Sequence, residues 1–527
     1  MSTTIYNKVS KSVKKVLPVC LFTFLPLLTS CNDWLDVLPN NEQVTDKYWK
    51  SKEDVESVIA SGYYYMRQCV PTYIKWGELR GDALFTSNGS DAKLQDFNIL
   101  PSNELCDWTD IYKVIGMANS VIKYAPTVND KTYYNAMRNS DLAEAYFMRA
   151  YSYLLLVKNF KEVPLVLSAY VNDKASFDIA KSSEETIIEQ IKNDVKAALE
   201  TGAAKSVYED EWATKGRVTK WALYALMADV CLWSGDYEEC ATYCDLILNA
   251  SDTFRPVLMS NTSDWISLFY PGNSNESILE INWDQAQYGQ SNNFSSSLFG
   301  TGTSSATLKP TDAAIEKMRE ETTTVLEQMG GVTSGRIGRM LLATYLPEGG
   351  EGSWANATRY YIWKYYVSDD AENSTTGHRA SQDANFIIYR VAEVILMKAQ
   401  ALTMQGDWQG AIDLDNIIRK RAGLPDFETP VSDLDEQTLL MEILDQKEME
   451  FMAEGKRWYD MLWLARLDEG KYKDLVVDMI VEGNTTTNDK WISSVLQDDN
   501  AWYMPLPQKD IDNNKLLKQN PYYATTK

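Results

Sequence analysis

The chain has 527 residues and a formal charge of −23, and it carries 16 Trp and 31 Tyr beside 14 Phe and a single histidine. So acidic a body is repelled by phosphate backbones and anionic lipid, which argues against nucleic-acid binding. With His378 as the only histidine, a histidine-based triad or a multi-histidine metal centre is nearly excluded as well.

Residues 1–30 read as a lipoprotein signal peptide that is removed. Lys8, Lys11, Lys14 and Lys15 form a basic start, Val16 to Leu28 is mostly apolar, and Leu28-Thr29-Ser30-Cys31 is the cleavage pattern. The apolar run is shorter than the roughly 20 residues of a spanning helix. Cys31 is therefore expected to carry lipid. The remainder, 31–527, has no second long apolar segment and is long enough for one large domain or two ordinary ones.

A turn-rich stretch from Pro71 to Pro101 comes first. Next, Ala143, Phe147, Ala150, Leu154 and Val157 recur at steps of four and three and predict a helix over Asp141–Phe160, with alanines where a neighbour approaches. Thr186–Glu200, Thr219–Trp233 and Tyr237–Leu248 behave similarly. From Ser251 to Asn385 the chain turns rich in Gly, Ser, Asn and Thr, with strand-like pieces at Ser277–Ile281 and Tyr360–Tyr366. Ala392–Met404, Trp408–Arg421 and Leu439–Leu467 return to helix. The expected fold is mainly α, with a few short strands. Long irregular segments on a helical frame are usually functional, so 71–101 and 251–385 are the expected working surface.

Two helical regions repeat each other. Ala228 to Tyr237 aligns with Ala399 to Trp408, and Cys240 then falls opposite Ala411. Each copy is helix, Gly-Asp-aromatic turn, helix: the glycine ends one helix, the aspartate is expected to cap the next, and the small residue allows close packing. Such pairs resemble tetratricopeptide repeats. Cys240 is thereby read as a packing residue. The remaining cysteines, Cys69, Cys106, Cys231 and Cys244, are irregularly spaced and make no disulfide framework or four-ligand metal site. No cofactor is expected. The loops are rich in Asp and Asn oxygens, which leaves a structural calcium open, although no twelve-residue calcium loop is present.

Glu454, Arg457 and Asp460 lie three apart, where an arginine on one helical face would bridge two carboxylates. A paired-carboxylate catalytic site is the sharper reading and the less favoured one. The arginine would keep both acids ionised, whereas a glycosidase acid must stay protonated.

Arg390-Val391-Ala392-Glu393, Gly406, Ala411, and Arg419 to Leu424 are followed by Glu450-Phe451, Glu454-Gly455, Arg457-Trp458, Asp460, Met504 to Pro507, and Gln519 to Tyr522. In these motifs the chain resembles the SusD/RagB family of Bacteroidetes outer-membrane glycan-binding lipoproteins. Earlier segments, Trp108–Asn119, Ala143-Glu144-Ala145, Arg149-Ala150 and Val163-Pro164-Leu165, fit the same pattern. Gln446-Lys447 depart from the common Glu-Arg, and Leu462 and Trp463 stand where basic residues are frequent.

The resemblance implies one SusD-like domain over 31–527, built on a tetratricopeptide-like scaffold whose loops carry the ligand face. It further implies a non-catalytic receptor that captures oligo- or polysaccharide at the cell surface and delivers it to a SusC-like TonB-dependent transporter. Its lipid would anchor it to the outer membrane. Sugar binding needs aromatic faces for ring hydrogens and polar groups for hydroxyls. The loops supply Trp76, Arg80, Asp82 and Asn88, then Trp283, Tyr288 and Phe294, and Trp354 as a third group. Trp283, Tyr288 and Trp76 are the expected stacking faces, with Arg80 and Asp82 as hydroxyl contacts. The rival readings are a helical scaffold that binds only protein and, less favoured, a glycoside hydrolase.

Overall fold

Helical hairpins stacked in sequence form the frame. The computed structural model describes residues 48–169, 178–260, 262–292, 294–299, 306–330, 338–339, 345–347, 360–367, 379, 382–484 and 488–524. The leader, Cys31 and Trp354 lie outside these residues. From Trp49 onward the chain forms one unit.

Helix α1 (Lys52–Glu78) begins at a capping box: the Ser51 hydroxyl accepts from Asp54 N at 3.4 Å and the Asp54 carboxylate accepts from Ser51 N at 2.9 Å. It packs against α2 (Thr109–Tyr124), and α3 (Asn135–Phe160) packs against α4 (Glu184–Glu200). A short helix, α5 (Glu211–Gly216), leads into the hairpin of α6 (Lys220–Ser234) and α7 (Tyr237–Leu248). Contacts also join α2 to α3 and α4 to α6, so each pair covers the apolar face of the next. Sandwiched in this way, α3 is buried almost continuously from Ser140 to Phe160.

The second repeat, α10 (Val391–Met404) and α11 (Trp408–Ala422), lies far along the chain, yet α10 packs directly on α7. Gly235 and Gly406 both take left-handed backbone, φ 81° and 82°, and end their helices as the sequence predicts. Cys240 and Ala411 are both fully buried, with the Cys240 sulfur 3.9 Å from the Met397 carbonyl. The aspartates differ. Asp407 accepts from Gly410 N at 3.1 Å as a cap, whereas Asp236 turns to Lys192 and Ser234 and caps nothing.

Two further expectations are corrected. The turn-rich stretch does not start at Pro71, because α1 runs through that proline to Glu78. The chain then enters β1 (Leu84–Thr86), which pairs antiparallel with β3 (Leu308–Pro310) in the register Leu84 to Pro310. Nor is Leu439–Leu467 one helix. It breaks into α12 (Glu436–Phe451) and α13 (Arg457–Arg466) at a turn where Ala453 and Gly455 have φ 67° and 74°. That turn is pressed against α1: a Cβ on Gly77 would sit 1.9 Å from the Gly455 carbonyl oxygen. The break places Glu454 off the helix that carries Arg457 and Asp460.

β2 (Ser277–Ile281), within 251–385, pairs antiparallel with β4 (Phe386–Arg390) just after it, from Ser277 with Arg390 to Ile281 with Phe386, and all ten residues are buried. The short α8 (Gln285–Tyr288) follows β2, and α9 (Asp312–Gln328) follows β3. Among the described residues no helix is long and apolar enough to cross a membrane.

A buried charge cluster ties β2, β4, α9, α11 and α12 together. Arg390 bonds the Glu454 carboxylate through Nε and Nη2, both at 3.0 Å, and reaches Glu276 at 2.9 Å. Glu450 accepts from Arg390 and Arg421 on one oxygen and from Arg339 at 3.0 Å on the other. Lys364 joins Glu454 at 2.8 Å, and Arg339 grips Glu321 with two bonds. Burial alone would raise the Glu450 carboxyl; Arg421, Arg390 and Arg339 instead bring it down to about 2. Four cations and four carboxylates thus neutralise one another away from water, the condition under which buried charge is tolerated.

Candidate functional site

The exposed aromatic surface with polar surroundings lies where α5 meets the turn after β2. Asp210 caps α5, accepting from Ala213 N at 2.7 Å, and the next-but-one residue is Trp212. Asp284 caps α8, accepting from Gln287 N at 2.7 Å, and Gly289, at φ 63°, ends the helix just after Tyr288. The rings of Trp212 and Tyr288 stand 6.2 Å apart at 48°, with exposures of 40% and 57%. Tyr and Trp this open to water present a flat apolar face that nothing in the core covers.

Its support is rigid. The Asn282 amide donates to the Trp212 carbonyl and to Asn273 Oδ1, each at 3.0 Å, and the Asn282 carbonyl accepts from Arg67 at 2.7 Å. The next residue, Trp283, is 7% exposed; its backbone N donates to Asn385 Oδ1 at 3.2 Å and its ring contacts Phe294 at 5.5 Å. Phe294 is 1% exposed and meets Tyr365 edge-on at 5.0 Å. The loop is stitched down by Asn292, whose side chain donates to Ala384 O at 2.6 Å and whose backbone N donates to Gln382 O at 2.7 Å.

Around the two exposed rings are amides and the carboxylates of Asp210, Glu211 and Asp284. Gln287 donates to the Tyr288 hydroxyl at 2.9 Å, Gln285 accepts from Gln382 N at 3.1 Å, and Gln290 accepts from Asp284 N at 3.2 Å. Behind them, burial brings the Lys215 amine down to about 8 against the pull of Glu280 and Glu211, and its Nζ donates to Ser277 O at 2.6 Å. Burial likewise raises the Glu280 carboxyl, against hydrogen bonds from Ser277, Asn273 and Asn385. The surface itself is therefore aromatic and amide-rich, suited to a neutral hydroxylated ligand. Among the described residues no group of three or more His, Cys, Asp or Glu converges to hold a metal.

The structure separates the residues that the sequence groups together. Tyr288 is exposed, whereas Trp283 and Phe294 are buried and so are not open as faces for stacking. Trp76 is fully buried at the end of α1, its indole donating to Leu105 O at 2.8 Å and its ring against Phe160. Arg80 is buried over the Trp458 ring at 4.5 Å, bonded to Asn159 and the Trp502 carbonyl, and burial lowers it to about 10. Asp82 is a partner of Arg457, which donates from Nε at 2.7 Å and Nη2 at 2.8 Å; burial opposes ionisation, and that guanidinium overrides it. These three side chains serve the core because α1 and the chain after it run inward. Asn88 is exposed, but its side-chain carbonyl oxygen accepts from Ser90 N at 2.9 Å in a local turn. Trp212 is not among the residues expected from the sequence, although a tryptophan among Asp210, Glu211 and Lys215 belongs to no apolar stripe and so is marked for the surface.

The expected bridge between acids is also absent. Arg457 turns to Asp82 and Glu448, Glu454 to Arg390 and Lys364, and Asp460 to Lys447.

A model described as the SusD family matches residues 343–523, and one described as starch-binding associating with outer membrane matches 33–232. SusD-like protein P38 of Formosa agariphila is 26% identical over 94% of this chain and 97% of its own. A SusD superfamily protein from Bacteroides vulgatus aligns with a TM-score of 0.70 at 19% identity, covering 90% of this chain and 100% of that one. A laminarin binding SusD-like protein aligns with a TM-score of 0.64 at 20% identity, over 90% and 100%.

Proposed function

The chain belongs to the SusD family, and on that premise we propose that it is a non-catalytic cell-surface lipoprotein that captures oligo- or polysaccharide. The observation that carries this reading is the Trp212–Tyr288 pair, exposed and angled on short helices held by the Asp210 and Asp284 caps. Sugar rings lie against such faces while amides such as Gln285, Gln287 and Gln290 meet their hydroxyls. The laminarin-binding neighbour makes β-glucan the first probe. Titration calorimetry with laminarin and with starch-derived oligosaccharides, on the parent protein and on Trp212→Ala and Tyr288→Ala, tests it. Each variant is expected to lose about tenfold or more in affinity, the scale of a removed aromatic anchor. Unchanged affinity in both removes this surface from the site, and no binding of any glycan on an array favours a scaffold that recognises protein alone.

The absence of catalysis is supported by where the acids are held. Glu454 and Asp460 are buried and paired with cations, and neither faces Tyr288. Chromatography of glycan after incubation with the protein is expected to show no shortened products. Anchoring through Cys31 to the outer membrane and delivery to a SusC-like TonB-dependent transporter complete the reading. Protease shaving of intact cells and copurification of the transporter, each compared with Cys31→Ser, test these two parts.

A further inference from the structure

Between α11 and α12 lies an acid with no partner of its own. Asp415 is 1% exposed, and among the described residues neither of its carboxylate oxygens accepts a hydrogen bond. Arg419, one turn further along the same face of α11, does not turn back to it. Its Nη1 crosses to Glu442 of α12, and its Nε donates to Pro425 O at 2.8 Å. Glu442 accepts a second bond from Gln446 Nε2 at 3.1 Å, and its carboxyl group lies within hydrogen-bonding reach of that of Asp415.

Two carboxylates that meet out of water repel one another and leave acceptors unsatisfied. One proton turns the repulsion into a bond, because a neutral acid donates to the carboxylate beside it. Asp415 is the member that keeps the proton. It is buried and without an ion pair, whereas the Glu442 side chain retains 18% of its exposure and is already served by Arg419 and Gln446. Burial, and then Glu442, push the Asp415 carboxyl above the ordinary carboxylate range, against the pull of Arg419 and Arg339.

The other charges on the packed helices pair elsewhere. On α12, Asp445 and Glu448 meet Lys317, Lys447 meets Asp460, and Glu450 meets Arg390 and Arg421. On α10, which also packs on α11, Glu393 meets Lys456 and Lys398 meets Asp245. Lys420 of α11 meets Asp426. Gln446 carries the contact onward: its Oε1 accepts from Arg339 Nη2 at 2.9 Å, and Arg339 holds both Glu321 and Glu450.

We propose that a single proton shared between Asp415 and Glu442 latches α11 to α12, and that its loss in alkaline solution loosens this seam. A carboxyl that holds its proton more tightly folded than unfolded gives full support in acid, and the support disappears as pH rises through the folded value. The seam is therefore closed in acid and neutral solution and opens above it. None of these residues belongs to the Trp212–Tyr288 surface, so laminarin binding at neutral pH does not depend on the latch.

The test compares the intact protein with Asp415→Asn and Glu442→Gln by infrared difference spectroscopy and by hydrogen exchange, from pH 6 to pH 9. At pH 7 the parent is expected to show the carbonyl stretch of a neutral carboxylic acid that Asp415→Asn removes. Glu442→Gln is expected to remove it too, because the like charge is gone and Arg419 is released, which lets Asp415 ionise. After correction for intrinsic rates, exchange in α11 and α12 is expected to rise about tenfold more over this range in the parent than in Asp415→Asn, whose amide donates to Glu442 at every pH. The proposal is overturned if Asp415→Asn leaves the neutral-acid band of the parent unchanged, or if exchange climbs equally in parent and variant. Should Asp415→Asn fail to fold, Glu442→Gln decides, and persistence of the whole band in it overturns the proposal.

Discussion

The cluster around Glu450 and the pair Trp212–Tyr288 both sit beside the β2–β4 ribbon, but they are held in opposite ways. Around Glu450 each charged group meets several partners out of water, and moving one leaves another uncompensated. Trp212 and Tyr288 face each other and open solvent, on short helices held by the Asp210 and Asp284 caps. The motifs that make the chain recognisable therefore maintain the frame. The pair proposed to meet a ligand carries little of the fold.

The sharpest way to break this contrast is Glu450→Gln. It leaves Arg390, Arg421 and Arg339 with too little negative charge and is expected to cost about 3–5 kcal/mol, the scale of a broken buried pair. A loss under about 1 kcal/mol in urea unfolding would show that the cluster is not the lock described. Gly77→Ala comes next. Its methyl meets the Gly455 backbone rather than a flexible side chain, so about 1–3 kcal/mol of overpacking is expected, with the surface around Tyr288 unaffected.

A subtler test is pH. The Glu78 carboxyl is buried and pushed up to about 8 despite hydrogen bonds from Gly455 N and Lys456 N. Burial and Glu442 also raise Asp415. A carboxyl with a raised folded pKa binds more protons folded than unfolded, so its contribution is full below the unfolded value near 4.5. That contribution falls as pH climbs toward 8, by up to about 1.4 kcal/mol per pH unit for one group. Unfolding at pH 5, 6 and 7 is expected to show this decline, and Glu78→Gln to flatten it. The smallest effect on stability belongs to Tyr288→Ala, within about 0.5 kcal/mol, although its effect on laminarin binding is the largest of the four.

Periodicity made the frame readable. Tyr237–Leu248 and Ser277–Ile281 match the structure at both ends, and the Gly-Asp-aromatic turns correctly paired two helical hairpins 171 positions apart by their aligned first residues, Ala228 and Ala399. Local pattern could not reveal the break at Ala453, because the cause is the distant approach of α1 at Gly77. The candidate site was half legible. Tyr288 was found because it stands among amides in a turn, but Trp76 and Arg80 share that local composition and point inward. Only the position of Phe160, Asn159 and Trp458 around them decides the matter. Trp212 was missed because its role arises from Tyr288, a partner distant in sequence.

The cluster also sets an order of events for the growing chain. Its members run from Glu276 to Glu454, so an N-terminal fragment that stops short of Glu450 contains Arg390, Arg421 and Glu276 without the second acid that both arginines share. The hairpins before it close on nearby contacts and can form early, whereas the C-terminal half gains its neutral interior only when α12 arrives. Until then those arginines have one shared carboxylate in place of two, and the cluster carries excess positive charge. A truncated or stalled chain is left open to proteases on this side, and the last third of synthesis decides whether the protein survives.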